Sequence, residues 1–314
     1  MSDVLHPVYL PFTEEQLIPH FAPVGTDKTN PGRHLEYFRK SIQAAADYAA
    51  LLHPGMSADE AKAKARGLQM QKDERFWIVT ALLSIFGAPD RVTSLAALLH
   101  KAFPGGFPIM DGLASWEQAL GDPGKLELFF EVSLPTPRDH RRALAADLEE
   151  RVLIPHVLES ARKALASGRA LEGATKADAL LVSPQTGFAV LFEAKVLADA
   201  SGGIRFDVLR NQLARNIDVM LDTNPNLQEP LTLRQPDRTC FVLITPEIFR
   251  DHPKSRLYGW LMRDYQADPG ALRRDLPHRA GTDLAAVAKR LGWLTWEDCN
   301  RVQNGACSWL SATR

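Results

Sequence analysis

Two short apolar runs separated by a four-residue turn are the feature that most constrains the fold of this chain. The first run is Ala179-Leu180-Leu181-Val182, the second is Val190-Leu191-Phe192, and Pro184-Gln185-Thr186-Gly187 lies between them. Proline and glycine in a turn of this length are typical of the connection between antiparallel strands. The sequence therefore predicts a β-hairpin in which Val182 pairs with Ala189.

This register places two carboxylates opposite each other. Asp178 precedes the first apolar run and Glu193 closes the second, so the predicted pairing puts Asp178 directly opposite Glu193. Lys195 lies two positions beyond Glu193 and shares its face, because side chains along a strand alternate with a period of two. Two carboxylates and a lysine on one face are costly for folding, but they make chemical sense around a divalent metal.

The chemistry of phosphodiester cleavage matches this group of residues. A divalent metal activates the attacking water and stabilises the developing negative charge when oxygen ligands hold it. Asp178, Glu193 and the carbonyl oxygen of Ala194 are the predicted ligands. Lys195 would orient the water or stabilise the leaving charge, and a neighbouring metal would lower its pKa.

A second Glu-x-Lys tripeptide, Glu60-Ala61-Lys62, tests how specific the motif is. It follows Ser57-Ala58-Asp59, which has the pattern of a helix start, and it lies in an Ala/Lys-rich stretch. No second acid faces it, so we interpret this copy as part of a solvated helix. The register with Asp178 distinguishes the copy at Glu193.

Composition sets bounds on the class of protein. The chain has 314 residues, 45% of them hydrophobic, and a net charge of −1, which neither requires nor excludes a nucleic-acid partner. Its cysteines, Cys240, Cys299 and Cys307, lack metal-ligand spacing and favour a reducing compartment. The amino terminus carries no signal-peptide pattern and no apolar run is long enough to span a bilayer, so we expect a cytoplasmic protein without a membrane partner.

The pattern along the chain predicts three segments. Residues 1–137 are mostly helical and end in a strand over 126–134, residues 138–250 form an α/β unit, and residues 251–314 are helical and pack on it. Within the α/β unit, a long helical pattern covers 138–166 with Pro155 as a kink or restart, a helix covers 206–221, and a strand covers 240–244. Arginine-rich stretches, among them Arg138–Arg142, are interpreted as solvated helix faces.

Asp178 followed by Glu193-x-Lys195 on the next strand, with helices on both sides, resembles the PD-(D/E)XK nuclease superfamily. The resemblance covers about residues 145–250, and Ala177 stands where the proline of the name would be. It implies an α/β restriction-endonuclease-like core, a mixed sheet flanked by helices. It also implies that Asp178 and Glu193 are metal ligands and that Lys195 is the catalytic lysine.

Two further positions follow from the resemblance. Many members carry a glutamate on the preceding helix, and the candidates are Glu149, Glu150 and Glu159, with Glu172 as an alternative in a loop. Helical phase favours Glu159, because it falls within the apolar stripe of the 138–166 pattern. Members also place a polar residue on the following helix. Gln212 is the predicted one, with Asn216 on the same edge of the apolar stripe and Arg210 on the other.

The predicted activity is Mg²⁺-dependent phosphodiester hydrolysis, with Mn²⁺ as a substitute for Mg²⁺. The expected substrate is DNA rather than RNA, cut by an endonuclease of the restriction, phage-defence or repair type. The alternatives are a catalytically inactive nucleic-acid-binding or assembly protein that keeps the fold, and an unrelated protein in which Asp178 and Glu193 lie far apart. The oligomeric state stays open, and a homodimer is one option.

Overall fold

A five-stranded sheet in the order β1-β2-β3-β4-β5 organises the protein. Its strands are β1 (Glu127–Leu134), β2 (Thr175–Ser183), β3 (Phe188–Ala194), β4 (Thr239–Thr245) and β5 (Leu291–Thr295). β2 is antiparallel to both of its neighbours, β1 and β3, whereas β3, β4 and β5 run parallel to one another. The prediction of an α/β protein with a mixed sheet flanked by helices is therefore confirmed. The computed structural model that gives this arrangement describes residues 4–21, 31–50, 57, 70–223 and 226–310.

The hairpin between β2 and β3 has the predicted register. Val182 pairs with Ala189, and the ladder continues to the pair Ala179 and Phe192. Gly187 closes the turn with a φ of 71°, a left-handed conformation that glycine adopts without steric cost. The hydroxyl of Thr186 fixes the turn from outside by donating to the carbonyl oxygen of Ala119 at 2.6 Å.

Helices cover both faces of the sheet. In the described residues the α-helices are α1 (Glu14–Leu17), α2 (Pro31–Ala50), α3 (Glu74–Phe86), α4 (Arg91–Ala102), α5 (Trp116–Leu120), α6 (Arg138–Ala146), α7 (Leu148–Arg151), α8 (Pro155–Ala166), α9 (Gln212–Met220), α10 (Glu247–Asp251), α11 (Leu257–Ala267), α12 (Pro269–Asp275), α13 (Leu284–Ala288) and α14 (Trp296–Val302). Short 3₁₀ helices cover Ile18–Phe21, Pro123–Lys125, Leu231–Leu233, Pro236–Arg238, Pro253–Ser255, Pro277–Arg279 and Ser308–Leu310.

Each face of the sheet has its own apolar core. Helices α3, α4, α5 and α14 pack against one face, onto alternate strand residues such as Val190 and Val242. Helices α9, α11, α12 and α13 pack against the other face, onto Leu191 and Phe241. Strands β3, β4 and β5 are buried along their whole length, which explains why they read as continuous apolar runs rather than as alternating patterns.

Three predicted elements differ from the structure. The helix predicted over 138–166 is divided into α6, α7 and α8, and the helix predicted from Phe206 begins only at Gln212. Leu209, assigned to its apolar stripe, is 62% exposed in the preceding loop. The carboxyl-terminal region contains β5 as well as helices. Of the predicted helix from Ser57, only Ser57 is among the described residues, and Glu60-Ala61-Lys62 lies outside them.

Strands on both sides of the predicted boundaries at 137 and 250 belong to one sheet. β1 precedes residue 138 and β5 follows residue 250, yet both extend the sheet formed by β2, β3 and β4. In the described part of the chain, no helix combines the length and the apolar character needed to cross a bilayer.

Candidate active site

Asp178 and Glu193 lie opposite each other on neighbouring strands. Because Ala179 pairs with Phe192, continuing this antiparallel register by one position places Asp178 across from Glu193. The backbone N–H of Ala194 donates to Oδ2 of Asp178 at 2.7 Å, which ties the aspartate to the end of β3. The structure thus brings together the two carboxylates that the sequence predicted as metal ligands.

Glu193 is held by three side-chain donors. Lys195 Nζ lies 2.5 Å from its Oε1, Gln212 Nε2 donates to the same oxygen at 2.6 Å, and Asn216 Nδ2 donates to Oε2 at 2.9 Å. Glu193 is only 1% exposed, so these contacts replace the water that an exposed carboxylate would bind. Lys195 Nζ also donates to the carbonyl oxygen of Ala194 at 3.2 Å, so this predicted ligand faces the same group of atoms.

The position of α9 explains why Gln212 and Asn216 reach Glu193 together. Asn211 caps the helix by accepting from the backbone N–H of Ala214, and the helix begins at the next residue. Residues four apart on a helix lie on the same face, so both amides point toward the end of β3. The predicted role of Gln212 as a polar neighbour of the site agrees with this contact.

Glu74 is a neighbour of the site that the sequence interpretation missed. It lies in the first turn of α3, where its Oε1 accepts from the backbone N–H of Val196 at 3.3 Å. Its Oε2 lies 3.9 Å from Lys195 Nζ. Asp73 is recognisable in the sequence as the residue that caps this helix. The local pattern does not show, however, that the first turn of the helix lies beside the end of β3.

Glu131 is a second missed carboxylate. Phe130 pairs with Ala179 and Val132 pairs with Ala177, so Glu131 is the residue of β1 opposite Asp178. Its φ of 56° is unusual for a residue other than glycine and interrupts the ladder at this point. We call Glu74, Glu131, Asp178 and Glu193 the acid cluster.

Two cations border the acid cluster at Glu131. Arg75 Nε lies 3.7 Å from Oε1 of Glu131, and Lys176 Nζ lies 3.8 Å from Oε2. Their side chains are 43% and 54% exposed, whereas that of Glu131 is 12% exposed. Solvent therefore screens the charges of Arg75 and Lys176 more than it screens the carboxylate of Glu131.

The structure does not bring Glu159 to the acid cluster. Its carboxylate is 65% exposed on α8 and pairs with Lys163 one turn further along the helix. The prediction assumed one helical phase over 138–166, and the division into three helices removes that phase. Glu149, another candidate, pairs with Arg162 at the surface.

Glu172 and Arg210 belong to a different buried group. Glu172 contacts His140 Nε2 at 2.7 Å and Arg210 Nε at 3.2 Å, and a second nitrogen of Arg210 donates to Asp218 at 2.8 Å. Arg210 precedes α9 and does not lie on its edge, as the longer predicted helix had placed it. This group supports α9 from the side away from Glu193.

The electrostatics of the acid cluster favour a cation. Burial, and then the charge of Glu193, raises the pKa of Asp178 well above its usual range. Burial likewise raises the pKa of Glu74 and of Glu131. Burial alone would lower the pKa of Lys195, but the charges of Glu193 and its neighbours outweigh it and raise that pKa. The carboxylates therefore hold Lys195 protonated, whereas burial and mutual repulsion outweigh the cations around Asp178, Glu74 and Glu131.

We predict that Asp178→Asn stabilises the protein in EDTA. A carboxylate whose pKa is raised on folding costs stability while it is ionised, and this cost disappears as the pH falls through the folded-state pKa. Removing the charge should raise the free energy of unfolding at pH 8 by about 0.5–2 kcal/mol, and the gain should shrink at pH 5. Urea denaturation at both pH values measures it. The exposed Asp111→Asn is the control, and a less stable Asp178→Asn would contradict the prediction.

The donor set of the acid cluster fits a hard divalent cation. Asp178 and Glu193 offer carboxylate oxygens beside the carbonyl oxygen of Ala194, and Mg²⁺ is typically bound through one or two carboxylates together with waters and phosphate oxygens. The carboxylate oxygens of Glu193 are oriented by Gln212 and Asn216, which is the supporting arrangement that metal ligands usually have.

A second group has the spacing of metal ligands but the wrong surroundings. Among the described residues, His140, Asp218 and His278 are the three side chains whose ligand atoms all lie within 4.8 Å of one another. Asp218 already bonds Arg210, and Arg279 Nε donates to it at 2.7 Å. Two guanidinium groups beside a metal ion would repel it, so an ion-pair network is the better description of this group. In the described residues the carboxylates of the acid cluster do not meet this spacing, and Lys195 Nζ lies 2.5 Å from Oε1 of Glu193.

Comparison with known proteins identifies no relative of this chain. No family model matches the chain, and neither the curated proteins nor the solved structures include a match to it. We therefore infer the function from the acid cluster and its surroundings.

Proposed function

We propose that this protein is a Mg²⁺-dependent nuclease of the PD-(D/E)XK type, acting as an endonuclease on DNA. The observation that carries the proposal is the position of Asp178 and Glu193 on β2 and β3, each one residue beyond the pair Ala179 and Phe192, with Lys195 in contact with Glu193. The restriction-endonuclease-like core is part of the proposal. The antiparallel hairpin followed by α9 and the parallel strand β4 supports it by analogy of fold.

The chain contributes a fixed set of ligands and a positioned ammonium group. Asp178, Glu193 and the carbonyl oxygen of Ala194 would hold the metal, which when bound supplies Lewis-acid stabilisation and an activated water. Gln212 and Asn216 keep the Glu193 carboxylate in one orientation. Lys195 donates to a phosphate oxygen as negative charge develops on it, in a site where burial strengthens that interaction.

A basic cleft beside the acid cluster suits a phosphate backbone. Arg33, Arg75 and Lys176 line it together with His34, Tyr37 and Glu131, and its volume is about 320 Å³. The guanidinium of Arg75 lies over the ring of Tyr37, 4.1 Å from the centroid. Cationic side chains that contact phosphates position a nucleic acid without reading its sequence. The cleft adjoins the acid cluster at Glu131 and would place the backbone near Asp178.

A cleavage assay with matched substrates tests the proposed function. The purified protein is incubated with supercoiled plasmid, linear duplex, single-stranded DNA and RNA, in EDTA, Ca²⁺, Mg²⁺ or Mn²⁺. We expect nicking and linearisation of the plasmid in Mg²⁺ and Mn²⁺, and no cleavage in EDTA. Glu193→Gln prepared in parallel controls for contaminating nucleases. Cleavage that persists in this variant would refute the assignment.

The same assay separates the nuclease from its main alternative. A nucleic-acid-binding protein that keeps the fold would bind the substrates and leave them intact in every metal. Binding measured in Ca²⁺, by anisotropy of a labelled duplex, gives the comparison. Tight binding without Mg²⁺-dependent cleavage would therefore refute the nuclease and support a binding or assembly role. The RNA arm tests the expected preference for DNA, and sedimentation of the same sample tests for a homodimer.

A further inference from the structure

Helix α6 carries a row of arginines on one face. Arg141 and Arg142 follow Arg138 by three and four positions, which makes each of them a neighbour of Arg138 on the helix surface. All three are exposed, and so is Arg169, which follows α8. Like charges on one helix face lower helix stability, so this row brings no benefit to folding.

The four arginines surround a cavity with an apolar floor. The cavity has a volume of about 430 Å³, and its floor includes Leu144, Leu165 and Leu171. No carboxylate is found among the described residues that line it. The neighbouring carboxylate of Asp139 lies 3.4 Å from Arg142 in an ion pair exposed to solvent, where screening makes the pair weak.

Buried residues of α6 hold the backbone beside this cavity in place. On α6, His140 is 2% exposed and contacts Glu172, while Leu144 is 1% exposed and belongs to a small apolar core shared with Leu171. The arginines thus extend from a backbone that packing already fixes. A site whose walls are fixed beforehand loses less conformational entropy when a ligand binds.

We propose that this cavity, the α6 arginine pocket, binds a nucleotide through its phosphates and base. Guanidinium groups form paired hydrogen bonds with phosphate oxygens and stack on planar rings. Among the three leucines, Leu165 is 37% exposed and provides an apolar surface for the base. A volume of about 430 Å³ lies within the usual range for small-molecule sites, and a concave pocket of this size suits a single nucleotide better than a duplex.

The pocket is separate from the proposed nuclease site. None of its described lining residues is part of the acid cluster or of the basic cleft beside it. The proposal therefore stands whether or not the protein cleaves nucleic acid, and binding can be measured without catalysis.

Calorimetric titration in EDTA tests the proposal with two probes, ADP and pyrophosphate. We expect one ADP to bind per chain, and pyrophosphate, which lacks the base, to bind at least about tenfold more weakly. Removing two guanidiniums in Arg141→Ala/Arg142→Ala should weaken ADP binding by at least about tenfold, since hydrogen bonds to charged groups are strong. Arg169→Glu, which reverses the charge of another lining residue, should weaken it as well.

The control variant Lys101→Ala/Lys254→Ala removes the same charge from exposed positions elsewhere and should bind ADP like the wild type. Thermal unfolding of each variant confirms that it is folded. Absence of ADP binding at 1 mM, or equal binding by the wild type and Arg141→Ala/Arg142→Ala, would overturn the proposal. Equal affinity for ADP and pyrophosphate would overturn the nucleotide assignment, because the apolar floor would then contribute nothing.

Discussion

Replacing Lys195 with methionine is expected to lower the rate of Mg²⁺-dependent plasmid cleavage by roughly 10²–10³-fold. Methionine keeps most of the length of the side chain and removes the ammonium group. That group lies 2.5 Å from Glu193 and is buried, so no water or neighbouring surface lysine can take its place. The loss should appear in the rate at saturating DNA, because the ammonium acts on charge that develops during the reaction.

Lys254→Met is the matched control, since it removes an exposed lysine at the surface. It should cleave at the wild-type rate. Circular dichroism checks that both variants fold, and duplex binding in Ca²⁺ checks that they bind DNA. Cleavage by Lys195→Met within threefold of the wild type would contradict the catalytic role of this lysine.

The largest loss of stability is expected from Asp218→Ala. Asp218 is fully buried and accepts from Arg210 and Arg279, and His278 Nε2 lies 3.0 Å from its oxygens. Removing it takes the shared carboxylate from Arg210, which keeps Glu172, and from Arg279, whose other carboxylate contact is Asp222 at 3.6 Å. Removing one partner of a buried ion pair typically costs about 3–5 kcal/mol. Urea denaturation should show this decrease in the free energy of unfolding. Since Asp218 lies on α9, the variant also disturbs the helix that holds Gln212 and Asn216.

The pH dependence of this effect has a definite sign. Burial alone would raise the pKa of Asp218, but the hydrogen bond to His278 and the charges of Arg210 and Arg279 lower it below its usual range. A carboxylate with a lowered pKa contributes stability above its unfolded-state pKa and loses it as the pH falls through the folded-state value. The difference between wild type and Asp218→Ala should therefore persist at pH 5. The exposed Asp237→Ala is the control, and a difference below 1 kcal/mol at pH 7 would contradict the prediction.

The sequence predicted the centre of the site because that part is local. The turn from Pro184 to Gly187 is short, so the register of β2 and β3 follows from the apolar runs on either side of it. Asp178, Glu193 and Lys195 therefore came together as predicted. Gln212 also came out near Glu193, although its helix begins six residues later than predicted.

The remaining carboxylates depend on contacts that local patterns do not contain. Glu74 meets Val196 across 122 positions of sequence, and only the packing of α3 on the sheet brings them together. Glu131 lies at an interruption of β1 with positive φ, which alternation along a strand does not predict. The prediction that Glu159 joins the site assumed a single helical phase over 138–166, but the chain breaks between α6, α7 and α8.

Strand β5 shows another limit of sequence patterns. Its five residues, Leu291–Thr295, are all buried, and a short buried strand has no alternation that distinguishes it from a buried helix. Tertiary contacts decide its conformation, since Leu291 to Thr295 pair with β4. The region after residue 250, predicted to be helical, therefore contains this strand at the edge of the sheet as well as helices.

The most direct measurement is anomalous diffraction from a crystal of the wild-type protein soaked in MnCl₂. We expect a manganese peak between the carboxylates of Asp178 and Glu193, within ligand distance of the carbonyl oxygen of Ala194, with Lys195 Nζ displaced from Glu193. The same soak of Asp178→Asn should show no peak at this position. A wild-type crystal with manganese only at His140, Asp218 and His278, or without manganese at the acid cluster, would contradict the proposed metal site.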